Sequence, residues 1–527
     1  MKKILISSLA LTGLLFTVSC NTDFDTDVKD VKVTSGTADF TRYVSLGNSL
    51  TSGYRDGALY LDGQNESYPS MIAAQMKLAG GGEFSQPLMP NNVGGFTNLF
   101  TASGGKDFYG KLTLQVVAGA LSPTPSAPAA NLDVIGGAGK YFNNMGVPGA
   151  KSFHLVAPGY GSAAGLTTGT ANPYFVRFAT SATTRVIDDA MAQKPTFVSL
   201  WIGANDVLSY STSGGTNYDS GTKTYSVAVD QKGNVNPATY KSSDISDPNV
   251  VAGSIKAVLD GLKSANPNVK GVIANIPQVT SIPFFTRVPY NAIPLDAATA
   301  QSLNTNLYSK LNAALTYLGQ GSRIKSVAAG NNPVLIVDPD LKNLSNELTS
   351  VLTAGGATPQ QAAFLGQTFG QARQATSDDL ILLTASTLLG KDALTGQAPT
   401  STSQFIFGAS YPIANQYSLT KNEIVKVKTA TDSYNASIAS LASNYGYAFV
   451  DANAKMIELS QSSGIQFDGV KYTATFVTGG SFSLDGVHLT GRGYAIIANE
   501  FIKAINGKYG STLPNVNPNS YSGVKFP

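Results

Sequence analysis

The chain has 527 residues and a formal net charge of +3, with 43% hydrophobic and 13% charged residues. Enough apolar side chains are present to bury a core, which excludes a disordered chain, and the charge is too small to indicate nucleic-acid binding. One cysteine cannot form a disulfide within the chain, and together with two histidines it excludes a cysteine or multi-histidine zinc site. We therefore expect neither a metal nor another cofactor.

The first twenty residues have the pattern of an export signal. Lys2 and Lys3 precede an apolar run over residues 4–18, which is too short to span a bilayer comfortably, and the only cysteine follows as Cys20. This arrangement resembles a bacterial lipoprotein signal, which implies cleavage before Cys20 and a lipid anchor on its sulfur. Thr17 stands where the usual lipoprotein box has Leu, so a conventional signal peptide is the alternative.

Residues 21–41 are predicted to be a flexible acidic tether. They contain few large apolar side chains and no helical period. The acidic residues are Asp23, Asp25, Asp27, Asp30 and Asp39. An acidic stretch just after a lipid-bearing cysteine resembles the surface-export signal of Bacteroidetes lipoproteins. That resemblance implies a cell-envelope protein, anchored in the outer membrane, with its globular part outside the cell.

From Arg42 onward, short apolar runs alternate with amphipathic helices, which is typical of a mainly parallel sheet with helices on both faces. The runs are mostly apolar and rich in β-branched or aromatic residues, as buried parallel strands require. Five strands are predicted, at residues 43–46, 197–202, 271–276, 334–337 and 447–450. We expect one α/β unit over residues 42–510, followed by a C-terminal tail at 511–527.

Helices are predicted where apolar residues recur every three to four positions. One such stripe runs from Tyr494 to Ile505, with Gly507 placed to end the helix, and another covers residues 303–318. Ser67 is in position to cap a further helix start. Each stripe is most simply explained by packing against the core.

Four long segments exceed what a minimal sheet needs. Residues 80–140, 155–185 and 210–250 are rich in Gly, Ser, Thr and Asn and are expected to be loops. Residues 340–415 instead contain three short apolar stripes, which predict three short helices packed as a cap. Segments of this length in a compact enzyme usually shape a substrate site.

The first candidate for chemistry is Ser49, between Gly47 and Gly53 in a turn directly after a predicted strand. A serine in a tight turn at the carboxyl end of a strand projects its hydroxyl where α/β folds bind ligands. An ordinary strand-to-helix turn capped by serine explains the same pattern.

The second candidate is the segment from Asp485 to His488, just before the C-terminal helix. An acid three residues before a histidine can accept the imidazole Nδ1 proton and leave Nε2 to take a proton from a serine. A loop histidine that caps the next helix is the alternative, but with two histidines in the chain, one beside an acid is informative.

Two further turns offer donors for an oxyanion. Asn205 follows a predicted strand and Gly203, so its amide can donate a hydrogen bond to a developing negative charge. Gly149, in a Pro-Gly turn, exposes a backbone N–H that can approach the same oxygen. For Asn205 the alternative is an Asx turn that closes the strand, and for Gly149 it is a plain Pro-Gly turn.

Taken together and in this order, the four segments resemble the SGNH or GDSL hydrolase family, whose named blocks are Ser, Gly, Asn and His. The resemblance implies Ser49 as nucleophile, Asp485 and His488 as the acid-base pair, and Gly149 and Asn205 as oxyanion donors beside the Ser49 backbone N–H. It also implies a flavodoxin-like three-layer α/β/α sandwich around a five-stranded sheet. The residues that carry the resemblance lie between Arg42 and Gly507.

The leader, a Ser-Tyr-Pro motif at 67–69, an Asn-Ile-Pro motif at 275–277 and the large helical insertion together resemble the GDSL-type acylhydrolase lipoproteins of Bacteroidetes. This likeness implies an esterase or lipase whose substrate is an acylated glycan or a lipid. One position departs from the family pattern, because Asn48 stands where the name-giving block has Asp. Asn48 is expected to alter local hydrogen bonding without abolishing catalysis.

A different class of function also fits these observations. Asn48 and the long polar loops are compatible with a non-catalytic surface lipoprotein that binds glycans or adheres on the same fold. The second histidine, His154, is expected to be structural, with a pocket-lining position as the alternative.

Overall fold

The computed structural model describes residues 32–105, 107–117, 119–400 and 403–527. The expected signal segment, Cys20 and most of the expected tether lie outside these residues. Within the described part of the chain, no helix is both long enough and apolar enough to cross a bilayer.

The described chain is organised around a five-stranded sheet in which every neighbouring pair of strands is parallel. The strands are β1 Tyr43–Gly47, β2 Asn144–Gly146, β3 Phe197–Trp201, β4 Lys270–Ala274 and β5 Ala448–Val450. Their spatial order is β5-β4-β3-β1-β2, so β1 lies between β3 and β2. The predicted α/β class and five-stranded parallel sheet are confirmed.

The membership of the sheet differs from the prediction in one strand. The run at 334–337 was expected in the central sheet, but Leu335–Val337 pairs antiparallel with Ala372–Gln374 in the insertion. Its place is taken by Asn144–Gly146, which pairs with β1. An apolar run shows that a strand is buried but not which partner it has, whereas these three edge residues become a strand through their pairing with β1.

Among the described residues, eight helices pack around the sheet or follow its strands. They are α1 Ser49–Ser52, α2 Tyr68–Leu78, α3 Val186–Ala192, α4 Asn205–Thr212, α5 Pro248–Ala265, α6 Lys421–Asn444, α7 Ala452–Ser460 and α8 Gly491–Tyr509. Shorter α-helices elsewhere in the sheet domain are Leu61–Asn65, Thr97–Ala102, Pro173–Phe178 and Pro283–Thr286.

Alternate strand residues face two separate hydrophobic clusters. Val44 and Val198 belong to a cluster built with side chains of α3, α5 and α6. Tyr43, Phe197 and Val272 belong to a second cluster with α2 and α8. Because side chains alternate across a strand, both faces of the sheet are covered by helices. This arrangement is compatible with a three-layer α/β/α sandwich.

Of the two helix ends predicted from the sequence, the start of α2 is as expected and the end of α8 differs. Ser67 caps α2 as predicted, because its Oγ accepts the Ser70 N–H at 3.4 Å. The C-terminal helix, however, passes through Gly507 and ends at Tyr509, with Gly510 in the left-handed conformation (φ 66°) as its cap. The extra turn buries the Tyr509 ring, whose hydroxyl donates to the Gly271 carbonyl at 2.7 Å.

The insertion is larger than predicted and has hydrophobic clusters of its own. Its main cluster extends from Ala300 to Ala372, so the unit begins well before residue 340. Its helices are Ala297–Leu303, Ser309–Tyr317, Ser345–Ala354 and Pro359–Phe369, with a π-helical turn at Asn304–Tyr308. The third predicted helix is a short 3-10 helix, Leu383–Thr387.

Short antiparallel strand pairs lie outside the central sheet. Two of them lie in the stretches at 80–140 and 210–250 that were expected to be loops only. These pairs are Gly110–Val117 with Ala120–Ser126 and Thr216–Asp219 with Thr224–Val227. Besides Leu335–Val337 with Ala372–Gln374, the remaining pairs are Ile293–Leu295 with Gly330–Asn332, Leu380–Ile381 with Ser418–Leu419, and Ile465–Phe467 with Val470–Tyr472.

The packed part of the chain starts before Arg42. Thr37 donates its N–H to the Tyr509 carbonyl at 2.8 Å, and Ser511 donates its hydroxyl to the Ser35 carbonyl at 2.7 Å. Phe40 is 2% exposed within the cluster around α2 and α8. The last third of the segment expected to be a tether is therefore part of the folded unit.

Candidate active site

Three neighbouring strands deliver three of the predicted residues to one edge of the sheet. Ser49 follows β1, Gly149 follows β2 and Asn205 follows β3, at two, three and four residues past the carboxyl end of the respective strand. Gly47 at the end of β1 is in register with Gly146 and Trp201 on the two flanking strands. The carboxyl edge of a parallel sheet is the usual ligand-binding edge of an α/β fold.

The turn that carries Ser49 is packed tightly onto β2. A Cβ atom at Gly146 would come within 2.4 Å of the Ser52 nitrogen, so only glycine allows α1 to rest on this strand. Asn48 caps the turn, because its Oδ1 accepts the Leu50 N–H at 3.0 Å. The amide oxygen of Asn48 therefore makes the hydrogen bond that an aspartate could make at this position.

His488 joins Ser49 to Asp485. Its Nε2 lies 2.9 Å from the Ser49 Oγ, and its Nδ1 lies 2.9 Å from the Asp485 Oδ2. An ionised carboxylate only accepts hydrogen bonds, so Nδ1 carries the proton and Nε2 is the free acceptor facing the hydroxyl. The structure thus brings together the three residues predicted as nucleophile, base and acid.

The Asp485 carboxylate is held by donors on both oxygens. Oδ1 accepts the backbone N–H groups of Val487 and His488, both at 2.8 Å, and Oδ2 accepts the Gly57 N–H at 2.9 Å. Burial opposes its ionisation, but the positive charge of His488 when protonated and the hydrogen bonds from His488 and Val487 hold the pKa of the Asp485 carboxyl well below its usual value. Asp485 is therefore a permanent negative partner for the imidazole.

One side chain borders the imidazole, and the insertion contacts the loop that carries it; the sequence indicated neither contact. The Tyr54 ring lies 4.8 Å from the His488 ring, centroid to centroid, at 53°. On the insertion side, Phe284 donates its N–H to the Gly486 carbonyl at 2.9 Å. A Cβ at Gly486 would meet the Leu383 side chain at 3.0 Å, so the 3-10 helix of the insertion reaches the loop that carries His488.

The Gly149 turn and the Asn205 side chain are tied to each other. Gly149 has φ 81°, which glycine adopts freely, and Asn205 donates one amide hydrogen to the Ala150 carbonyl at 2.9 Å. An asparagine amide has two hydrogens, so the second remains available. Neither the Ser49 N–H nor the Gly149 N–H donates to another described residue.

A buried carboxylate, that of Asp206, holds the segment just after the Gly149 turn. Asp206 is 0% exposed and accepts the Ser152 N–H at 2.8 Å and the Ser152 hydroxyl at 2.9 Å. Burial raises the pKa of Asp206, whereas the positive charge of Lys151 opposes that rise. The chain just after Gly149 is thereby attached to α4 at two neighbouring residues, Asn205 and Asp206.

The second histidine has a different environment. His154 lies in the 3-10 helix Ser152–Val156, accepts the Lys151 N–H on Nδ1 at 3.0 Å and stacks on Tyr160 with ring centroids 4.4 Å apart. Burial lowers the pKa of His154 to about 3, so its ring is neutral near pH 7. These contacts agree with a structural role.

Gly57 and Tyr54 are the site residues that sequence reasoning missed. An Asp-Gly pair at 56–57 does indicate a turn. Nothing local indicates that this turn reaches Asp485, because the two residues of the hydrogen bond are 428 positions apart. Among the described residues, no group of three or more histidine, cysteine or acidic side chains could hold a metal ion.

The sequence was also compared with known proteins. No protein-family model matches the chain, and no curated protein matches it. The functional interpretation of the site therefore depends on its own geometry and chemistry.

Proposed function

We propose that this chain is a serine esterase that cleaves carboxylic esters, with the architecture and residue roles of the SGNH/GDSL hydrolases. One observation carries the proposal: the Ser49 Oγ and the His488 Nε2 lie 2.9 Å apart, although 439 positions separate the two residues in the chain. A hydroxyl, an imidazole and a carboxylate in this order form the arrangement that activates a serine nucleophile.

In the first half-reaction, the Ser49 Oγ attacks the carbonyl carbon of the ester while His488 Nε2 takes the hydroxyl proton. Asp485 holds the imidazole in the required tautomer and stabilises the imidazolium that forms. His488 then donates the proton to the leaving alcohol, and an acyl group remains on Ser49. The base must be neutral to accept this proton.

The negative charge on the carbonyl oxygen needs donors that are already in place. The Ser49 and Gly149 N–H groups have no other described acceptor, and Asn205 has one amide hydrogen left after its bond to Ala150. Preorganised donors stabilise the tetrahedral intermediate without reorganisation during the reaction. Water activated by His488 then hydrolyses the acyl-enzyme by the same steps in reverse.

The proposed substrate is an ester of a glycan or of a lipid. Because the insertion contacts the loop of His488 through Leu383, it is in position to shape the entrance to the site. A panel of p-nitrophenyl esters from acetate to long acyl chains distinguishes the two classes. Preference for acetate favours a glycan deacetylase, and preference for long chains favours a lipid acylhydrolase.

Labelling with a fluorophosphonate tests the proposed function directly. We expect a single covalent adduct on Ser49, located by mass spectrometry and abolished by Ser49→Ala. Ser52→Ala is the matched control, because this neighbouring hydroxyl donates to the Ser49 carbonyl rather than to His488. Absence of an adduct, under conditions that label a known esterase, would instead favour the non-catalytic glycan-binding lipoprotein.

We also propose that the protein is exported and anchored through a lipid on Cys20. The support is the leader sequence: a basic start, an apolar run and the only cysteine of the chain. The test is to compare the native chain with Cys20→Ala in a cell-fractionation experiment with mass spectrometry of the mature N-terminus. A diacylated Cys20 in the membrane fraction supports the proposal, and an unmodified soluble chain contradicts it.

A further inference from the structure

The loop that carries Asp485 and His488 rests on a turn near the other end of the chain, Tyr54–Gly57. We infer that Asp56, in this turn, is a positioning residue that holds the Asp485–His488 pair in line with Ser49. The inference deepens the proposed function and rests on it, because it assigns a role within the same site.

Asp56 contacts both residues that precede Asp485. Its Oδ1 accepts the Leu484 N–H at 3.0 Å, and its own N–H donates to the Ser483 Oγ at 2.9 Å. The Ser483 hydroxyl in turn donates to the Asp485 Oδ1 at 3.1 Å. The next residue, Gly57, donates to the other Asp485 oxygen. Asp56 therefore fixes the loop on which the catalytic carboxylate sits.

Asp56 is itself held from the opposite side. Its Oδ2 accepts the Tyr60 hydroxyl at 2.7 Å, and its carbonyl accepts the Leu112 N–H at 2.7 Å. Tyr60 receives a hydrogen bond from Arg55 Nε at 2.6 Å, and Arg55 is paired with Glu66 at 2.6 Å. The Asp56 carboxylate thus links the His488 loop to a largely buried polar network.

The backbone of Asp56 is in an unfavourable conformation. Its φ is 52°, in the left-handed region that non-glycine residues rarely adopt. Such conformations persist where the surroundings require them, and they cluster at functional sites. Here the conformation allows the Asp56 N–H, the Asp56 carboxylate and the Gly57 N–H to meet the 483–485 loop together.

Asp56 does not contact Ser49 or His488 directly, so its effect is transmitted through Asp485. A small displacement of a reacting group, on the order of 1 Å, can lower the rate about 100-fold. We therefore expect Asp56→Asn and Asp56→Gly to lower kcat by roughly 10-fold to 100-fold, while KM stays within about threefold. Asp56→Gly removes the carboxylate, and glycine tolerates the positive φ. This variant therefore tests the loss of the side chain without adding backbone strain.

A matched control distinguishes positioning from general stability. Asp189 is 3% exposed and, like Asp56, accepts hydrogen bonds from another segment, including the Thr180 N–H at 3.0 Å and the Thr184 hydroxyl at 2.8 Å. It contacts none of the proposed catalytic residues. We expect Asp189→Asn to lower the melting temperature as the Asp56 variants do, but to leave kcat unchanged at temperatures well below the transition.

A second readout does not need turnover. His488 is expected to give a downfield Nδ1–H resonance in spectra of ¹⁵N-histidine-labelled protein, because Nδ1 donates to Asp485. His154 cannot give this signal, because its Nδ1 is an acceptor. The signal should vanish in His488→Ala and should shift or broaden in Asp56→Gly, but not in Asp189→Asn.

The outcomes separate the two proposals. If Asp56→Asn and Asp56→Gly keep kcat within twofold and leave the resonance unchanged, the role of Asp56 is refuted while the esterase stands. If the wild-type protein forms no adduct on Ser49 and hydrolyses no ester, the esterase is refuted. Even without esterase activity, the Nδ1–H resonance of Asp56→Gly would show whether Asp56 sets the geometry of the Asp485–His488 pair. A resonance unchanged from the wild type would then refute the role of Asp56 as well.

Discussion

The two histidines of this chain use the same ring atom in opposite ways. His488 donates its Nδ1 proton to the Asp485 carboxylate, whereas His154 accepts the Lys151 backbone N–H on Nδ1. Because Nδ1 of His488 donates to Asp485, its Nε2 faces the Ser49 hydroxyl as an acceptor. The Lys151 N–H requires Nδ1 of His154 to be unprotonated, and the neutral ring stacks on Tyr160. The neighbour of Nδ1 therefore sets which nitrogen can act as a base.

The largest expected effect comes from removing the proposed base. His488→Ala should lower kcat for ester hydrolysis by roughly 10⁵-fold to 10⁶-fold, because Ser49 then has no proton acceptor. Steady-state kinetics on a p-nitrophenyl ester measure the loss, and Ser49→Ala should match it. The double variant should be no slower than either single one, because residues of one triad act as a unit. Retention of most activity by His488→Ala would contradict the assignment.

The next effect comes from changing only the Nδ1 partner of His488. Asp485→Asn should lower kcat about 10⁴-fold, because an amide can donate to Nδ1 and so place the proton on the wrong nitrogen. This change would make the Nδ1 of His488 an acceptor, as it is in His154. A variant with wild-type kcat, with folding confirmed by circular dichroism, would show that the tautomer does not matter.

An intermediate effect is expected at the oxyanion donors. Asn205→Ala should lower kcat by about 10²-fold to 10³-fold, or about 3 to 4 kcal/mol of transition-state stabilisation, with a smaller change in KM. Because Asn205 also bonds the Ala150 carbonyl, a melting curve is needed as a control. Asn205→Ala should still form the fluorophosphonate adduct, though more slowly, since Ser49 and His488 remain in place.

The smallest effect on activity is expected at His154. His154→Gln should keep kcat within about threefold, but it should change how stability depends on pH. Burial lowers the pKa of folded His154 to about 3, below the ordinary value of 6.5, so the unfolded chain binds a proton that the folded state excludes. Stability from this residue is complete above about pH 6.5 and is lost as the pH falls toward about 3.

Chemical unfolding at several pH values measures this contribution. Between about pH 7 and pH 5, the free energy of unfolding should fall by about 2 kcal/mol more in the wild type than in His154→Gln. If the free energy of unfolding falls equally with pH in the two proteins, His154 takes up its proton in the folded state.

The sequence predicted those parts of the molecule that are specified locally. Ser49, Asp485 and His488 could be singled out because each occurs in a short motif beside a strand or helix end. The structure then brings them within hydrogen-bonding distance of one another. The caps and amphipathic stripes are local in the same sense, and Ser67 begins its helix as expected.

Features that depend on distant partners could not be predicted in this way. Asn144–Gly146 contains little that resembles a strand and becomes one by pairing with β1. The apolar run at 334–337 is a strand, but its partner lies in the insertion. Gly57 offers no local sign that its N–H contacts Asp485. In each case the missing information is which segment lies alongside, and an isolated segment does not carry it.

The separation of Ser49 from His488 has a consequence for synthesis. A nascent chain that stops before residue 488 already contains the proposed nucleophile and oxyanion donors, but it lacks the proposed base. The helix that follows, α8, also supplies much of the cluster on one face of the sheet. On the proposed function, the chain is expected to be inactive on the ribosome and after any truncation that removes its last forty residues, with hydrolysis beginning when the final helix docks.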